Sequence, residues 1–172
     1  MQKDKFLSIE GNNYFKRNFL KSNIEKAEWV KKDSLLPLIL DIQCEKDKLN
    51  VLEIGCGQGL RLEELKKRRN WNLFGLDPSI ESVNYVKNNG ISTYQGTADQ
   101  LPFEENTMDI VIYGFCLYVC DNEDLFKIAF EADRVLKNNG WLAITDFWSP
   151  SPQSNIYGYD KSINSFKNNR CL

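Results

Sequence analysis

The sequence has no histidine in 172 residues. That absence takes the imidazole base out of every Ser-His-Asp and Cys-His arrangement, so hydrolysis by the common nucleophilic routes is excluded. Cys116 and Cys120 are spaced as CxxxC, but no further cysteine pair follows. With no histidine to complete four nitrogen and sulfur ligands, a metal site is not expected. The five cysteines, Cys44, Cys56, Cys116, Cys120 and Cys171, are odd in number and scattered. They suit reduced thiols in the cytoplasm better than a disulfide framework. Long apolar runs are missing too. The opening "MQKDKFLSIEGNN" has no continuous apolar segment of the signal-peptide kind, and no stretch is long enough to cross a bilayer, so no membrane partner is expected. An excess of positive charge is also absent, with Lys+Arg 22 against Asp+Glu 24. A nucleic-acid partner held by its phosphates is therefore not expected, and "KKRR" at Lys66 to Arg69 reads as the cationic end of a helix.

What is present suits one compact domain, since 42% of the residues are hydrophobic. An N-terminal helical cap is expected over residues 1–45, a nucleotide-type core over 46–147 and a polar, turn-rich tail over 148–172. In the cap, "YFKRNFLKSNIEKAEWVKK" spaces Phe15, Phe19, Ile24 and Trp29 as one amphipathic helix, and Ser34 is placed to cap a second helix, "LLPLILDIQC". The rhythm then changes. The runs "LNVLEIG", "WNLFGLD", "ISTYQG", "MDIVIYGF" and "WLAITDF" read as strands. Between them, "LRLEELKKRR", "PSIESVNYVKNNG" and "EDLFKIAFEADRVLKNNG" read as helices. Gly90 is placed to end the second of these; Asn122 is placed to cap the third and Gly140 to end it. Strands alternating with helices predict an α/β fold: a Rossmann-like, mostly parallel sheet with helices on both faces, binding ligands at the carboxyl ends of its strands.

The stretch "VLEIGCGQG" places Gly55, Gly57 and Gly59 where the first strand turns into a helix. Backbone can approach a ligand closely there, and helix-start amides face it. The dinucleotide fingerprint wants its third glycine where Leu60 stands, which argues against a nicotinamide-dependent oxidoreductase, and no Gly-Lys-Ser/Thr follows to make a P-loop. Asp77 ends the second strand eighteen positions after Gly59, near the offset at which an acidic residue reaches ribose hydroxyls. Capping of the helix beginning at Pro78 is its structural alternative.

Taken in order, "VLEIGCGQG", "LFGLDPS", "GTADQLPFEENTMDIVIYGFCLYV" and "EADRVLKNNGWLAITDF" resemble the class I S-adenosylmethionine-dependent methyltransferases of the small-molecule, type 11-like kind, from about Leu49 to Phe147. The resemblance implies S-adenosylmethionine as cofactor, S-adenosylhomocysteine as product and a small-molecule methyl acceptor. It places Glu53, Gly55, Cys56, Gly57 and Gly59 at the methionine end, Asp77 at the ribose, Pro78 and Ile80 beside the adenine, Ala98 and Asp99 at its other edge, and Gly114 and Phe115 near the methyl group. Where many relatives carry a histidine after the fourth strand this chain has Tyr118, leaving Tyr118, Asp121 and Asp146 as candidate bases, each with an ordinary packing or capping alternative. Tyr14 and Phe15 are placed to fold over the cofactor as a lid or to pack in the core. Relatives continue past the fifth strand with a helix and a strand pair, which the 25 or so residues after Phe147 are too short to supply. A bare sheet edge is expected, covered by the tail or by a partner subunit as in a homodimer, or else left by truncation. A non-catalytic cofactor-binding module is the alternative function.

Overall fold

The structure is a computed structural model that describes residues 1–43 and 48–167; Cys44 and Cys171 lie outside the described residues. The chain opens with α1 (Gln2–Lys5), a π-helical turn (Phe6–Glu10) and α2 (Gly11–Asn18), followed by α3 (Asn23–Lys32) and α4 (Leu35–Leu40). The pattern predicts one helix through Lys32, but α2 ends where Phe19 turns extended, and α3 begins on a capping box. Ser22 Oγ accepts from the Glu25 amide at 3.1 Å while Glu25 accepts from the Ser22 amide at 2.9 Å. These local bonds satisfy the orphan amides of a new helix start and outweigh continuation of the old one. Ile24 consequently faces solvent. Ser34 stands at the N-cap position of α4 but makes no side-chain capping bond; Asp33 supplies it, its Oδ1 accepting from the amides of Leu35 and Leu36.

Five parallel strands follow: β1 (Asn50–Ile54), β2 (Asn72–Asp77), β3 (Ser92–Gln95), β4 (Met108–Gly114) and β5 (Leu136–Thr145). They are interleaved with α5 (Leu60–Arg68), α6 (Ile80–Asn88) and α7 (Leu125–Val135), in the sheet order β3-β2-β1-β4-β5. Alternate side chains of each strand point to opposite faces. Val51, Ile110 and Ile112 therefore pack with α4, α5 and Val86 of α6, while Leu52, Val111 and Tyr113 pack with Ile128, Ala132 and Val135 of α7. The expected α/β fold with helices on both faces is what the chain forms. Ile54 is level with Leu76 on one side and Tyr113 on the other, so the carboxyl ends of β1, β2 and β4 open at one place.

Two expectations around α7 need correction. Asn122 lies in a 3-10 turn, and the position preceding α7 is Asp124. At the other end α7 stops at Val135 instead of reaching Gly140, because the lead-in to β4 captures its last carbonyls: the Asn106 and Thr107 amides donate to the carbonyls of Arg134 and Val135, both at 2.9 Å. Strand β5 starts at once, and Asn139, not Gly140, takes the left-handed turn with φ 64°.

Within the described residues the tail does not lie across β5. Its β6 (Gln153–Ile156) and β7 (Asn164–Lys167) form a separate antiparallel hairpin. That hairpin docks on the N-terminal helices, where Tyr157 and Ile163 are buried with Phe6. Lys5 donates to the Ser162 carbonyl, and Arg17 donates to the Tyr157 hydroxyl while lying 4.0 Å over the Tyr159 ring. Within the described residues β5 is thus a sheet edge, with Trp141, Leu142 and Ile144 exposed.

One core position carries an unpaired polar atom. The Tyr113 hydroxyl is buried with no hydrogen-bond partner, and burial pushes its ionisation up. Removing an unsatisfied buried hydroxyl is favourable by about 1 kcal/mol. Tyr113→Phe is expected to raise the thermal midpoint by a few degrees, and a lowered midpoint in a calorimetric scan would show that the hydroxyl is satisfied.

Candidate active site

A cavity of about 670 Å³ opens at the carboxyl ends of β1, β2 and β4. Its floor is the loop after β1, in which Gly55, Gly57 and Gly59 have φ of 71°, 52° and 70°. This left-handed backbone is costly for any residue with a Cβ. Gly55 and Gly59 have an added reason: a Cβ on Gly55 would meet the Cys116 Cβ at 2.7 Å. A Cβ on Gly59 would meet Val86 at 2.9 Å, so glycine lets α5 start hard against α6. Around Gly57 nothing lies within 4 Å, and the open space belongs to the cavity.

Asp77 closes this loop from below. Its two carboxylate oxygens accept from the amides of Gly57 and Ser79, each at 2.8 Å. It therefore tethers the glycine loop to the start of α6, whose cap is Ser79 accepting from the Ser82 amide. Burial raises its pKa to about 6 despite the two amides. Ser82 adds a side-chain hydrogen bond, and the two oxygens together keep lone-pair capacity for a further donor.

Glu53 lies beside Asp77 on the cavity floor and anchors an ion cluster that periodicity did not reveal. Arg61, buried in α5, donates through Nη1 to Glu53 Oε1 and through Nε and Nη2 to both oxygens of Asp33, the Nε bond being 2.8 Å. The sequence signal was an arginine four residues before the buried Leu65, on a face that should be apolar. Gly114 makes room for it, since a Cβ there would meet the guanidinium at 2.7 Å. The second oxygen of Glu53, Oε2, is buried without a partner. Burial lifts the Glu53 pKa to about 7 even against the pull of Arg61.

The N-terminal segment forms the roof. Gln58, a loop residue that the motif reading passed over, is buried and bonds both ways to the Leu20 backbone: its Nε2 donates to the carbonyl at 2.8 Å and its Oε1 accepts from the amide at 2.9 Å. Further in, Lys3 reaches Asp99 at 2.6 Å, and the Gln2 amide donates to Asp121 at 2.8 Å. Burial alone would raise the Asp99 carboxyl, but bonds from Lys3, Thr97 and Lys127 prevail and hold it at about 2. Gln58→Ala is expected to raise the dissociation constant of a ligand beneath the roof roughly tenfold, from the loss of two hydrogen bonds of about 0.5–1.5 kcal/mol each. An unchanged constant in a titration would detach the roof from binding.

Glu53, Gly55, Cys56, Gly57, Asp77, Pro78, Ala98, Asp99, Gly114 and Phe115 all line the cavity, as do Tyr118 and Asp121. Gly59, Ile80 and Asp146 do not. Gly59 is turned into the packing between α5 and α6; Ile80 opens α6 with its side chain partly exposed. Asp146 accepts from the amides of Tyr118 and Phe147. Tyr14 lines the cavity from the roof, whereas Phe15 packs outside it against Phe19 and Tyr85. The Tyr118 hydroxyl lies 3.5 Å from that of Tyr14, and burial pushes its ionisation up.

The residues fit an S-adenosylmethionine molecule. An orphaned carboxylate oxygen is suited to an ammonium, a partly used carboxylate to ribose hydroxyls, and a glycine loop at a helix start to a carboxylate. A model of a methyltransferase domain matches residues 52–144, more than half of the chain. The chain is 25% identical to the Drosophila melanogaster tRNA N(3)-methylcytidine methyltransferase Mettl2, over 98% of its own length and 51% of that protein's. It spans roughly a third to a half of the curated relatives it matches. Among solved structures, the PH0226 protein of Pyrococcus horikoshii superposes with a TM-score of 0.66 at 21% identity, over 90% of this chain and 81% of that one. A Methanosarcina mazei SAM-dependent methyltransferase superposes at 0.60 and 21% identity, over 66% and 58%. The match over β1 to β5, falling on a site with these donors and acceptors, identifies the chain as a member of the class I S-adenosylmethionine-dependent methyltransferases, with S-adenosylmethionine as cofactor and S-adenosylhomocysteine as product.

Proposed function

We propose that this chain transfers the methyl group of S-adenosylmethionine to a small-molecule acceptor held in the strand-end cavity. The observation that carries the proposal is the pairing of the orphaned Glu53 Oε2 with the tethered Asp77 under one roofed cavity. Bound cofactor supplies an electrophilic methyl on a good leaving group. In this reading Glu53 holds the ammonium, and the amides of the glycine loop face the methionine carboxylate. Asp77 accepts from the ribose, while Pro78, Ala98 and Asp99 border the adenine. Gly114, Phe115 and Cys116 form the wall nearest the acceptor. The protein's contribution is then mainly alignment, which is worth several kcal/mol when the reacting atoms are held in line.

Mettl2 acts on tRNA by its name, but a polynucleotide acceptor fits this chain less well. The cavity is lined by six carboxylates against three cations, and the chain carries a net charge of −2. Phosphate binding needs the opposite balance. We also place the chain in the cytoplasm, in keeping with the free thiols of Cys56, Cys116 and Cys120.

The test is production of S-adenosylhomocysteine with panels of small hydroxyl, carboxylate and amine acceptors and with tRNA. Turnover on a small acceptor and none on tRNA is expected; turnover on tRNA alone contradicts the proposal. The second reading, a cofactor-binding module without turnover, draws on the bare β5 edge and is supported if cofactor binds but no acceptor is methylated.

A further inference from the structure

We infer that the acceptor is an amine whose methylated product is a cation, an inference that rests on the methyltransferase reading of the same cavity. Three rings stand together after β4 and β5: Phe147 lies 5.2 Å from Phe115 and 5.0 Å from Tyr118, the second pair edge to face. All three line the cavity, and Tyr14 joins them from the roof. Aromatic faces attract cations, by about 0.5–1 kcal/mol, roughly two- to fivefold in affinity, at rings as exposed as Phe115 and Phe147. This cluster already holds one, since the Lys167 ammonium lies 5.6 Å over the Phe147 ring.

Charge and proton chemistry point the same way. The predominance of carboxylates in the lining favours positive charge and opposes a carboxylate acceptor. A hydroxyl acceptor needs a base within reach. The chain has no histidine, Asp121 and Asp146 are engaged with backbone amides, and the two hydroxyls nearest the acceptor end, Tyr14 and Tyr118, face each other. An amine that has left its proton in solvent needs no base. Its nitrogen forms the new N–C bond with its own lone pair while the C–S bond breaks and that electron pair stays on sulfur. The positive charge passes from sulfur to nitrogen, no proton is released in the transfer, and the product is an ammonium. An aromatic, acidic wall stabilises that charge where it develops.

The test uses two probes of the same shape, choline and its neutral isostere 3,3-dimethyl-1-butanol, titrated by NMR into the chain saturated with S-adenosylhomocysteine. Choline is expected to bind at least tenfold tighter than the neutral isostere, and Phe147→Leu is expected to cut that preference to less than threefold. Equal binding of the two probes, or binding of neither, overturns the inference while leaving the methyltransferase reading in place. A preference unchanged in Phe147→Leu overturns the role of the ring cluster and the inference with it. Failure of S-adenosylhomocysteine to bind the folded chain overturns the reading on which both rest.

Discussion

Asp77→Ala is expected to weaken S-adenosylmethionine binding by about 100-fold, roughly 2.7 kcal/mol. The carboxylate has two duties that fail together. It satisfies the Gly57 and Ser79 amides; the substitution leaves the buried Ser79 amide unpaired at about 1–3 kcal/mol and the part-buried Gly57 amide open to the cavity. It also supplies the acceptor for the ribose hydroxyls in the proposed pose, and a hydrogen bond to a charged group is worth about 1.5–3 kcal/mol. Because the first duty is structural, the variant is also expected to melt several degrees lower. Asp77→Asn separates the two effects: it keeps the shape and one acceptor oxygen but points an amide toward an amide donor, so intermediate affinity is expected. The measurements are a calorimetric titration and a thermal melt of each variant. Wild-type affinity in Asp77→Ala would remove Asp77 from the site.

The second large effect is in pH. Burial holds Glu53 near 7 and Asp77 near 6, both above the ordinary values of 4.5 and 3.8. The sign follows from linkage. A folded carboxyl with a raised pKa binds a proton that the unfolded chain has already released, so this part of the stability of the free protein falls as pH rises from about 4 to about 7. Cofactor binding runs the opposite way, because an ammonium against Glu53 Oε2 requires the ionised form. Affinity is therefore expected to rise between pH 5.5 and 7.5, approaching tenfold per unit at the acid end. At pH 6 binding should release about one proton, measured as a heat that depends on the ionisation enthalpy of the buffer. Glu53→Gln is expected to flatten the profile, abolish most of that proton release and weaken binding at pH 8 by roughly tenfold, the loss of one charge-assisted bond. A steep profile that survives in Glu53→Gln would assign the titration to another group.

The parts of the fold legible in the sequence were those set by local pattern. Continuous apolar runs marked β1, β2 and β4, and three spaced glycines marked the turn where backbone takes left-handed φ. Boundaries were legible only where a local bond decided them, as with Gly90 after α6 at φ 73°. The end of α7 was not, because the amides that capture its carbonyls come from Asn106 and Thr107, nearly thirty residues earlier. On the cavity floor, the position of Asp77 at the end of β2 was legible from the strand pattern, whereas Glu53 was singled out only by the family resemblance. The roof was not legible: Lys3 meets Asp99 and Leu20 meets Gln58 across long sequence separations that no periodicity encodes. The ion cluster of Arg61 was not legible either, because its partners, Glu53 and Asp33, come from a strand and a distant loop.

The C-terminal hairpin gives the roof its second anchor. Relatives were expected to use this part of the chain to extend the sheet, whereas here it buries Phe6 against Tyr157 and Ile163 and places Lys167 beside the aromatic wall. The order of the roof therefore depends on contacts with both the glycine loop and the tail.

The most direct measurement is calorimetric titration of the chain with S-adenosylmethionine and S-adenosylhomocysteine at pH 8. One site per chain, with micromolar affinity that Asp77→Ala and Glu53→Gln both weaken, is the predicted result. A folded chain that binds neither ligand, or binds both with affinity untouched by the two substitutions, would contradict the placement of the cofactor between Glu53 and Asp77.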